Sequence, residues 1–280
     1  MRKTIITVAL TGGFHGKEAN PNLPVTPEEI SHAAFECWQQ GAGIAHIHAR
    51  DKEGKATADV AVYQRIKELV REKCDIVISF STGGGPNLTP EERIQAAYAA
   101  PEICSVNMGT MVRTRWGEGS LFLNTRSQIE EWVRILRDRG VKPEMEVYSH
   151  AMFVDVTNLI EKDLIKPPYL INIVLGMTHQ GALGANTKNL ISMIDYLPRE
   201  TIFNVTAIGW RQLHLTTLGI LLNGNARVGM EDNVYFRKGQ LAESNAQLVS
   251  RTAGIVRQLE LEIATPGEVR QMLGLGNEAS

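Results

Sequence analysis

Two histidines, His46 and His48, lie two positions apart in a short apolar segment that predicts a β-strand. Side chains two positions apart on a strand point to the same side, so both imidazoles face one way. The polar pair Arg50-Asp51 follows directly, which places the histidines where the strand meets its loop. Imidazole suits zinc, iron, copper and nickel. The spacing predicts either half of a metal site or two histidines that line a strand without a chemical role.

Carboxylates elsewhere in the chain are candidates to complete such a site. Two histidines and one carboxylate form a common open catalytic metal site, which leaves positions for substrate or water. Glu231 is the first candidate for the third ligand, and Asp232 and Asp51 are the alternatives. Arg227 lies close in sequence and is predicted to pair with Asp232, either as a structural salt bridge or as a pair that acts in proton transfer.

A glycine-rich segment and a pair of acidic residues are further candidates for the site. The segment Ser81-Thr82-Gly83-Gly84 could bind an anion through backbone N–H groups and its two hydroxyls, or it could be a flexible loop. Glu144 and Glu146 share one face of a predicted strand, where they could contact metal or substrate or orient an imidazole. Asn107 ends the strand before them.

The elements that must position these residues alternate between strand and helix along the chain. Each predicted strand is followed by a segment with helical spacing or a helix-start signal such as Thr26-Pro27-Glu28-Glu29. The predicted strands are Thr4–Leu10, Ile44–His48, Asp75–Ser81, Ile103–Asn107, Lys142–Tyr148, Tyr169–Leu175, Ile202–Ala207 and Ala226–Gly229.

This alternation predicts an α/β protein with a (β/α)₈ barrel, in which functional groups collect at the carboxyl ends of the strands. The candidate residues above lie at those ends. A doubly wound parallel sheet is the alternative, but it usually has fewer strands at this length. No linker rich in proline, glycine or serine interrupts the chain, so we expect a single barrel domain over residues 1–280 with a C-terminal helical extension.

The composition excludes several classes of partner. The 280 residues carry a formal net charge of −2 without a basic run, which argues against nucleic acid and anionic membrane surfaces as partners. The 3 cysteines are widely spaced, which argues against a disulfide framework. No apolar run approaches membrane-spanning length and no signal peptide is recognisable, so a cytoplasmic protein is the simplest expectation.

Seven longer runs, distributed in order over nearly the whole chain, match one known family at family-like spacing. The runs are Asn22–Glu29, His46–Asp51, Ser81–Gly84, Glu144–Tyr148, Val174–Gly176, Gly229–Asn233 and Ala242–Val249. They resemble the β-keto acid cleavage enzymes, whose founding activity is the cleavage of 3-keto-5-aminohexanoate. The resemblance implies a zinc-dependent (β/α)₈ enzyme in which His46, His48 and Glu231 hold the zinc ion.

The reaction that this resemblance implies is a Claisen-type exchange between two small-molecule substrates. A β-keto acid and acetyl-CoA become acetoacetate and a new acyl-CoA. Arg227 and Asp232 match the catalytic dyad of the family, Ser81 matches a serine that contacts substrate, and Ser105 matches a threonine on the fourth strand. The resemblance also implies a homo-oligomer, because some family-like barrels are tetramers.

One position departs from the family pattern. The loop after the first strand has Phe14 where the family member that acts on an amino substrate has a glutamate for the substrate ammonium. We therefore expect a neutral or apolar acyl side chain, or a quaternary amine held against the Phe14 ring by cation–π attraction. The alternatives to this function are a metal-dependent hydrolase on the same barrel, which would need no CoA, and a non-catalytic binding protein.

Overall fold

A closed barrel of eight parallel strands forms the centre of the protein in this computed structural model, which describes residues 3–85, 88–113 and 120–276. Each strand pairs with the next in sequence, and the last pairs with the first, with Arg227 opposite Thr7. The strands are β1 (Ile6–Ala9), β2 (Ile44–Ile47), β3 (Val77–Ser81), β4 (Ile103–Asn107), β5 (Lys142–Val147), β6 (Tyr169–Leu175), β7 (Thr201–Ala207) and β8 (Asn225–Val228).

A helix follows each strand, which confirms the predicted (β/α)₈ barrel. The helices are α1 (Pro27–Gln39), α2 (Val60–Arg71), α3 (Pro90–Arg93), α4 (Arg126–Asp138), α5 (Phe153–Glu161), α6 (Thr187–Ile194), α7 (Gln212–Leu221), α8 (Asn245–Gln258) and α9 (Pro266–Leu273). The predicted strand ends agree with the barrel strands to within two residues. The prediction of one domain over residues 1–280 stays a prediction, because its ends lie outside the described residues.

Short-range signals in the sequence fix where several helices begin. At α1, the Thr26 side chain accepts a hydrogen bond from the Glu29 N–H, and the Glu29 carboxylate accepts one from the Thr26 N–H. This reciprocal capping satisfies two backbone donors that a helix start otherwise leaves unpaired. The same arrangement occurs at Thr89 and Thr265, where the sequence shows the same threonine-proline signal.

Two antiparallel hairpins on the loops were not predicted from the sequence. Met111–Arg113 pairs with Ser120–Phe122 after β4, and Tyr235–Arg237 pairs with Gln240–Leu241 after β8. Strands of two or three residues are too short to show a periodic pattern. Both hairpins extend from carboxyl ends of barrel strands, where the rims of such barrels carry their functional loops.

The amino end of the barrel is closed by apolar side chains. Buried residues at the start of five strands form one cluster with α9 and with the segment that precedes α9. The members are Ile5, Ile44, Val77, Ile103, Leu170, Ala264, Val269 and Leu273. Arg270 anchors α9, because its Nε donates to the buried Glu102 carboxylate at 2.5 Å. This floor excludes water from below the barrel interior.

Towards the carboxyl ends of the strands, the residues that alternate with these apolar ones are polar and buried. They are Thr7, His46, Ser79, Ser105, Glu144, Asn172, Asn204, Asn225 and Arg227. Asn204 Nδ2 donates to Glu144 Oε1 at 2.9 Å, and Thr206 Oγ1 donates to Asn172 Oδ1 at 2.8 Å. The barrel therefore changes from an apolar floor to a polar interior, and buried polar groups of this kind require specific partners.

We expect the variant Glu144→Gln to be more stable than the wild type at neutral pH. Burial, with the Glu146 carboxylate adding to it, raises the pKa of Glu144 from 4.5 to about 7. At pH values between these two pKa values, the Glu144 carboxyl is ionised in the unfolded chain and protonated in the folded chain. The free energy of unfolding of the wild type therefore falls by about 3 kcal/mol as the pH rises through this range. Glutamine keeps an acceptor for Asn204 but cannot ionise.

Urea unfolding of both proteins between pH 4.5 and 8, with a chelator present, measures this difference. The stability gap should widen up to about pH 7 and then stay constant. Parallel pH profiles for the variant and the wild type would contradict the buried, proton-holding position of Glu144.

Candidate active site

Two histidines, His46 in β2 and His48 directly after it, are oriented by hydrogen bonds to their Nδ1 atoms. His46 Nδ1 lies 3.2 Å from Ser79 Oγ on the neighbouring strand, and His48 Nδ1 lies 3.1 Å from the Gly84 carbonyl oxygen. A carbonyl only accepts hydrogen bonds, so His48 donates from Nδ1 and presents Nε2 to the site. Both Nε2 atoms face Glu231, at 3.8 Å for His46 and 3.4 Å for His48. Alternation along this segment therefore directs two imidazole nitrogens towards Glu231.

The three side chains form a group of the kind that holds a metal ion. Their ligand atoms all lie within 4.8 Å of one another. Burial lowers the pKa of His46 well below its ordinary value, and the Arg227 charge adds to this, so the ring stays neutral and can ligate. Glu231 Oε2 is buried and has no hydrogen-bond partner among the described residues. The donor set of two imidazoles and one carboxylate fits a divalent cation.

Arg227, on β8, connects three carboxylates beneath and beside this group. Its Nε and Nη2 donate to the two oxygens of Asp232 at 3.0 and 3.1 Å, which is a bidentate pair. Nη2 also donates to Glu231 Oε1 at 2.7 Å, and Nη1 donates to Glu146 Oε1 at 3.1 Å. Tyr148 completes the arrangement, because its hydroxyl donates to Glu146 Oε2 at 3.0 Å. The predicted pair of Arg227 and Asp232 is present, within a larger network.

The network shifts the pKa values of two neighbouring carboxylates in opposite directions. Burial alone would raise the pKa of Glu231, but the Arg227 guanidinium holds it well below the ordinary value. Burial raises the pKa of Asp232 to about 6, even though Arg227 opposes this shift. Glu231 is thus suited to remain an anionic ligand, whereas Asp232 is suited to accept and return a proton near neutral pH.

Backbone contacts that only glycine permits bring the loops after β1 and β3 together over the histidines. A Cβ atom on Gly13 would lie 1.9 Å from the Gly84 carbonyl oxygen, which no side chain tolerates. Gly84 itself has φ of +58°, the left-handed region that favours glycine. The glycine-rich segment is therefore fixed in place by packing, and its Gly84 carbonyl is the group that orients His48.

Arg50 fixes the loop that carries Phe14, although its position in the sequence pattern suggested no role for it. The guanidinium is buried and donates to Thr11 Oγ1 at 3.0 Å and to the Gly54 carbonyl at 2.7 Å. It also donates to the carbonyls of Gly12 and His15. These contacts join the loops after β1 and β2 and hold Phe14 at the edge of the site.

Asn245 at the start of α8 fixes the loop that carries Glu231 and Asp232. Its side-chain oxygen accepts from the Met230 N–H at 2.8 Å, and its Nδ2 donates to the Leu10 carbonyl at 3.0 Å. Gln212 supports the same loop by donating to the Gly229 carbonyl at 3.1 Å. The run Ala242–Val249 thus acts on the site through one buried asparagine.

A cavity at the carboxyl ends of the strands contains most of the site residues proposed from the sequence. Those that line it are Phe14, His46, His48, Ser81, Gly83, Gly84, Asn107, Glu146, Arg227, Glu231 and Asp232. Thr82 and Ser105 are not among its lining residues. Thr82 Oγ1 donates to the Ser105 carbonyl at 2.6 Å, so this pair joins β3 to β4 beside the cavity.

Tyr148, which the sequence places with Glu146 at the fifth strand, also lines the cavity. Further lining residues were not selected from the sequence. Met177, His179 and Ile208 also line the cavity, and they come from the loops after β6 and β7. The barrel rule points to these loops, but nothing in an irregular segment tells which side chain turns inward.

Comparisons with known proteins agree with this geometry. A family model described as beta-keto acid cleavage enzyme matches residues 3–275. The chain belongs to the β-keto acid cleavage enzyme family. It is 38% identical over 276 residues to the 3-keto-5-aminohexanoate cleavage enzyme of Fusobacterium nucleatum, covering 98% of this chain and 99% of that protein. It is 34% identical over 305 residues to the 3,5-dioxohexanoate:acetyl-CoA acetone transferase of Paraburkholderia graminis, covering 100% and 98% of the two chains.

Among solved structures, the apo structure of ObcA is similar to this β-keto acid cleavage enzyme family member in its fold. The TM-score is 0.77 at 18% sequence identity, and the match covers 91% of this chain and 66% of the ObcA chain. The three side chains that the sequence indicated as candidate metal ligands, His46, His48 and Glu231, are therefore brought together on a barrel of known type.

We expect the wild-type protein to bind one divalent metal ion per chain and the variants His48→Ala and Glu231→Gln to lose most of this affinity. Changes around a metal site that spare its ligands cost about 10- to 100-fold, so loss of one of three ligands should cost at least about 100-fold. Calorimetric titration of the metal-free proteins with zinc measures the affinity. His32→Gln, which removes an exposed histidine near Glu36 on α1, is the control and should bind as the wild type does.

Proposed function

We propose that this protein converts a β-keto acid and acetyl-CoA into acetoacetate and a new acyl-CoA. The observation that carries the proposal is the juxtaposition, in one cavity, of the His46–His48–Glu231 group with the Arg227–Asp232 pair. Membership in the β-keto acid cleavage enzyme family supports it, as do relatives named for β-keto acid cleavage and for acetyl-CoA-dependent transfer.

Zinc is the metal that we propose for the site. Two neutral imidazoles and one carboxylate are a donor set of catalytic zinc sites. When bound, the ion supplies Lewis acidity that polarises the oxygens of a β-keto acid and stabilises negative charge on them. A divalent cation also improves the charge balance, because one guanidinium, that of Arg227, faces three carboxylates in the network.

Asp232 is the residue that we assign to proton transfer. Its carboxylate takes a proton from C2 of the β-keto acid and gives it back at the end of the reaction. Arg227 is effectively always protonated, so it acts by holding the carboxylate through two hydrogen bonds and not as a base. Ser81 accepts a hydrogen bond from the Gly83 N–H at 3.0 Å, which orients its hydroxyl, and its O–H can donate to the substrate carboxylate.

The carbon chemistry that follows is a condensation and a cleavage. The C2 carbanion attacks the acetyl carbonyl of acetyl-CoA, a carbon–carbon bond forms, and the CoA thiolate leaves. The thiolate then attacks the other ketone carbonyl, and the bond between that carbon and C2 breaks. The departing acetoacetate carbanion takes the proton back from Asp232, and the thiolate remains on the new acyl-CoA. Atoms and electrons balance without a further reactant.

Apolar side chains make up a further part of the cavity lining. They include Phe14, Met111, Phe122, Val174, Met177 and Ile208. The carboxylates that line the cavity, among the described residues, are Glu146, Glu231 and Asp232, and all three are held by Arg227. The variable side chain of the β-keto acid is therefore proposed to be neutral and apolar, since an ammonium would lack a carboxylate of its own.

Activity should require both acetyl-CoA and a bound metal. We expect acetoacetate release from a β-keto acid only when acetyl-CoA is present, and loss of release after treatment with a chelator. Asp232→Asn, which removes the proton acceptor, should lower kcat by about 100-fold or more without preventing metal binding. Asp195→Asn, at an exposed position after α6, is the matched control and should keep full activity.

Other outcomes of this assay distinguish the alternatives. Substrate consumption without CoA would favour the metal-dependent hydrolase, and wild-type kinetics in Asp232→Asn would remove Asp232 from the mechanism.

A cytoplasmic location and a homo-oligomer, with a tetramer as the first expectation, stay predictions. Within the described residues, no helix is both long and apolar enough to cross a membrane.

Phe14 should set the preference for the side chain of the substrate. In a series of β-keto acids, the wild type should have the highest kcat/KM with short neutral side chains. Phe14→Glu should lower this value by about tenfold or more, as is usual for lost apolar contacts in a pocket, and should improve a substrate with a primary amine. Phe14→Leu, which keeps the apolar surface, is the control. A wild-type preference for the primary amine would contradict the assignment.

A further inference from the structure

An exposed aromatic and basic surface lies at the carboxyl ends of β7 and β8, outside the cavity. We define the Trp210 surface by Trp210, Arg211, His214, Tyr235, Arg237 and Lys238. The Trp210 side chain is 66% exposed, and the Arg211 guanidinium carbon lies 3.9 Å from the centroid of its ring. The His214 ring meets Trp210 edge-on at 5.7 Å between centroids. Tyr235, on the adjacent hairpin, is 46% exposed, so two large aromatic side chains are exposed on neighbouring loops, and a contiguous exposed patch of this kind is typical of a binding surface.

The Trp210 surface is continuous with the active site. Ile208, two residues before Trp210, lines the cavity. The Gly209 N–H donates to the carbonyl oxygen of Asp232 at 2.8 Å, so the turn that carries Trp210 is tied directly to the loop of the proton-transfer residue. The hairpin that begins at Tyr235 packs against the same turn. A ligand whose reacting end occupies the cavity can therefore extend over this surface.

The charge of the surface is complementary to that of a nucleotide. Arg211, Arg237 and Lys238 provide three cationic side chains on two adjacent loops. The neighbouring carboxylates, Glu231 and Asp232, face inward and are held by Arg227. Loops after strands seven and eight are also the usual place for phosphate groups in (β/α)₈ barrels.

The cavity itself offers little to such phosphates. Of the cavity-lining residues in the described part of the chain, Arg227 is the one with a guanidinium, and three carboxylates already take it up. A ligand can have an apolar thioester at one end and several phosphates at the other. Because the guanidinium in the cavity is already paired, the phosphates of such a ligand would need to bind outside the cavity. The Trp210 surface is adjacent to the opening and has both a flat aromatic ring and cations.

We propose that the Trp210 surface binds the nucleotide end of coenzyme A, with Trp210 stacked on the adenine and the basic side chains paired with the phosphates. This assignment rests on the proposed function, because it takes acetyl-CoA to be the co-substrate. Under this assignment, Trp210 and Arg211 determine the affinity for acetyl-CoA. They do not take part in the reaction at the thioester. The pantetheine arm then connects the surface to the cavity past Ile208.

The test compares acetyl-CoA with the acetyl thioester of N-acetylcysteamine, which has the same reacting group but no nucleotide. Stacking of a base on an aromatic side chain is typically worth about 1–3 kcal/mol on alanine substitution. Trp210→Ala should therefore raise KM for acetyl-CoA by about tenfold with little change in kcat, and it should leave the kinetics of the truncated thioester unchanged. Arg211→Gln should act in the same direction.

The control variant changes Tyr98, an exposed aromatic residue that also has an arginine over its ring but lies far from the Trp210 surface in sequence. Tyr98 is 40% exposed, and the Arg139 guanidinium carbon lies 3.8 Å from its ring centroid, but it lies on the 3₁₀ helix that leads into the amino end of β4. Tyr98→Ala should leave both thioesters unaffected. Calorimetric titration with 3′-phosphoadenosine 5′-diphosphate gives a readout independent of turnover, and Trp210→Ala should weaken its binding.

Three results would overturn the assignment. The first is equal loss of activity with both thioesters, which would make Trp210 a structural residue. The second is unchanged binding of the nucleotide by Trp210→Ala. The third is a smaller assembly of Trp210→Ala by light scattering, which would assign the surface to a contact between subunits. If the wild type binds the nucleotide but turns over no acyl-CoA, the proposed reaction fails while the nucleotide site remains.

Discussion

The site depends on the ion pairs that the buried Arg227 guanidinium makes with three carboxylates. The guanidinium sets the position of Glu231 beside the two histidines, holds Asp232 through two hydrogen bonds, and binds Glu146 across the barrel. One cation for three anions leaves excess negative charge in a buried place, and such charge is costly unless it is compensated. The arrangement is therefore suited to a divalent metal ion and, in the proposed reaction, to a proton that moves on and off Asp232.

The barrel makes this concentration of charge tolerable by separating it from the apolar part of the core. Apolar side chains around Ile44 and Leu273 close the amino end, while the layers above contain buried polar side chains, among them the hydrogen-bonded pairs of Asn204 with Glu144 and of Thr206 with Asn172. Helix α9, anchored through Arg270 and Glu102, completes the floor. The polar cavity therefore lies at the end where the loops are, which is also where the substrates would enter.

The loops of the site are positioned by contacts between elements that are distant in sequence. Asn245 fixes the loop of Glu231, Arg50 fixes the loop of Phe14, and the close approach of Gly13 to Gly84 fixes the loop that orients His48. These contacts connect runs that are far from the histidines in sequence to the site. A change in any of them would displace a site residue without removing it.

The sequence by itself determined the alternation of strands and helices, the direction of His46 and His48 on one strand face, and the pairing of Arg227 with Asp232. These features follow from local periodicity and short spacing, which a linear pattern records. Only the tertiary structure decided that Glu231 faces the histidines, that Thr82 and Ser105 lie beside the cavity, and that Tyr148 and Ile208 line it. Those facts depend on barrel closure and on irregular loops, where side-chain direction is set by contacts between residues distant in sequence.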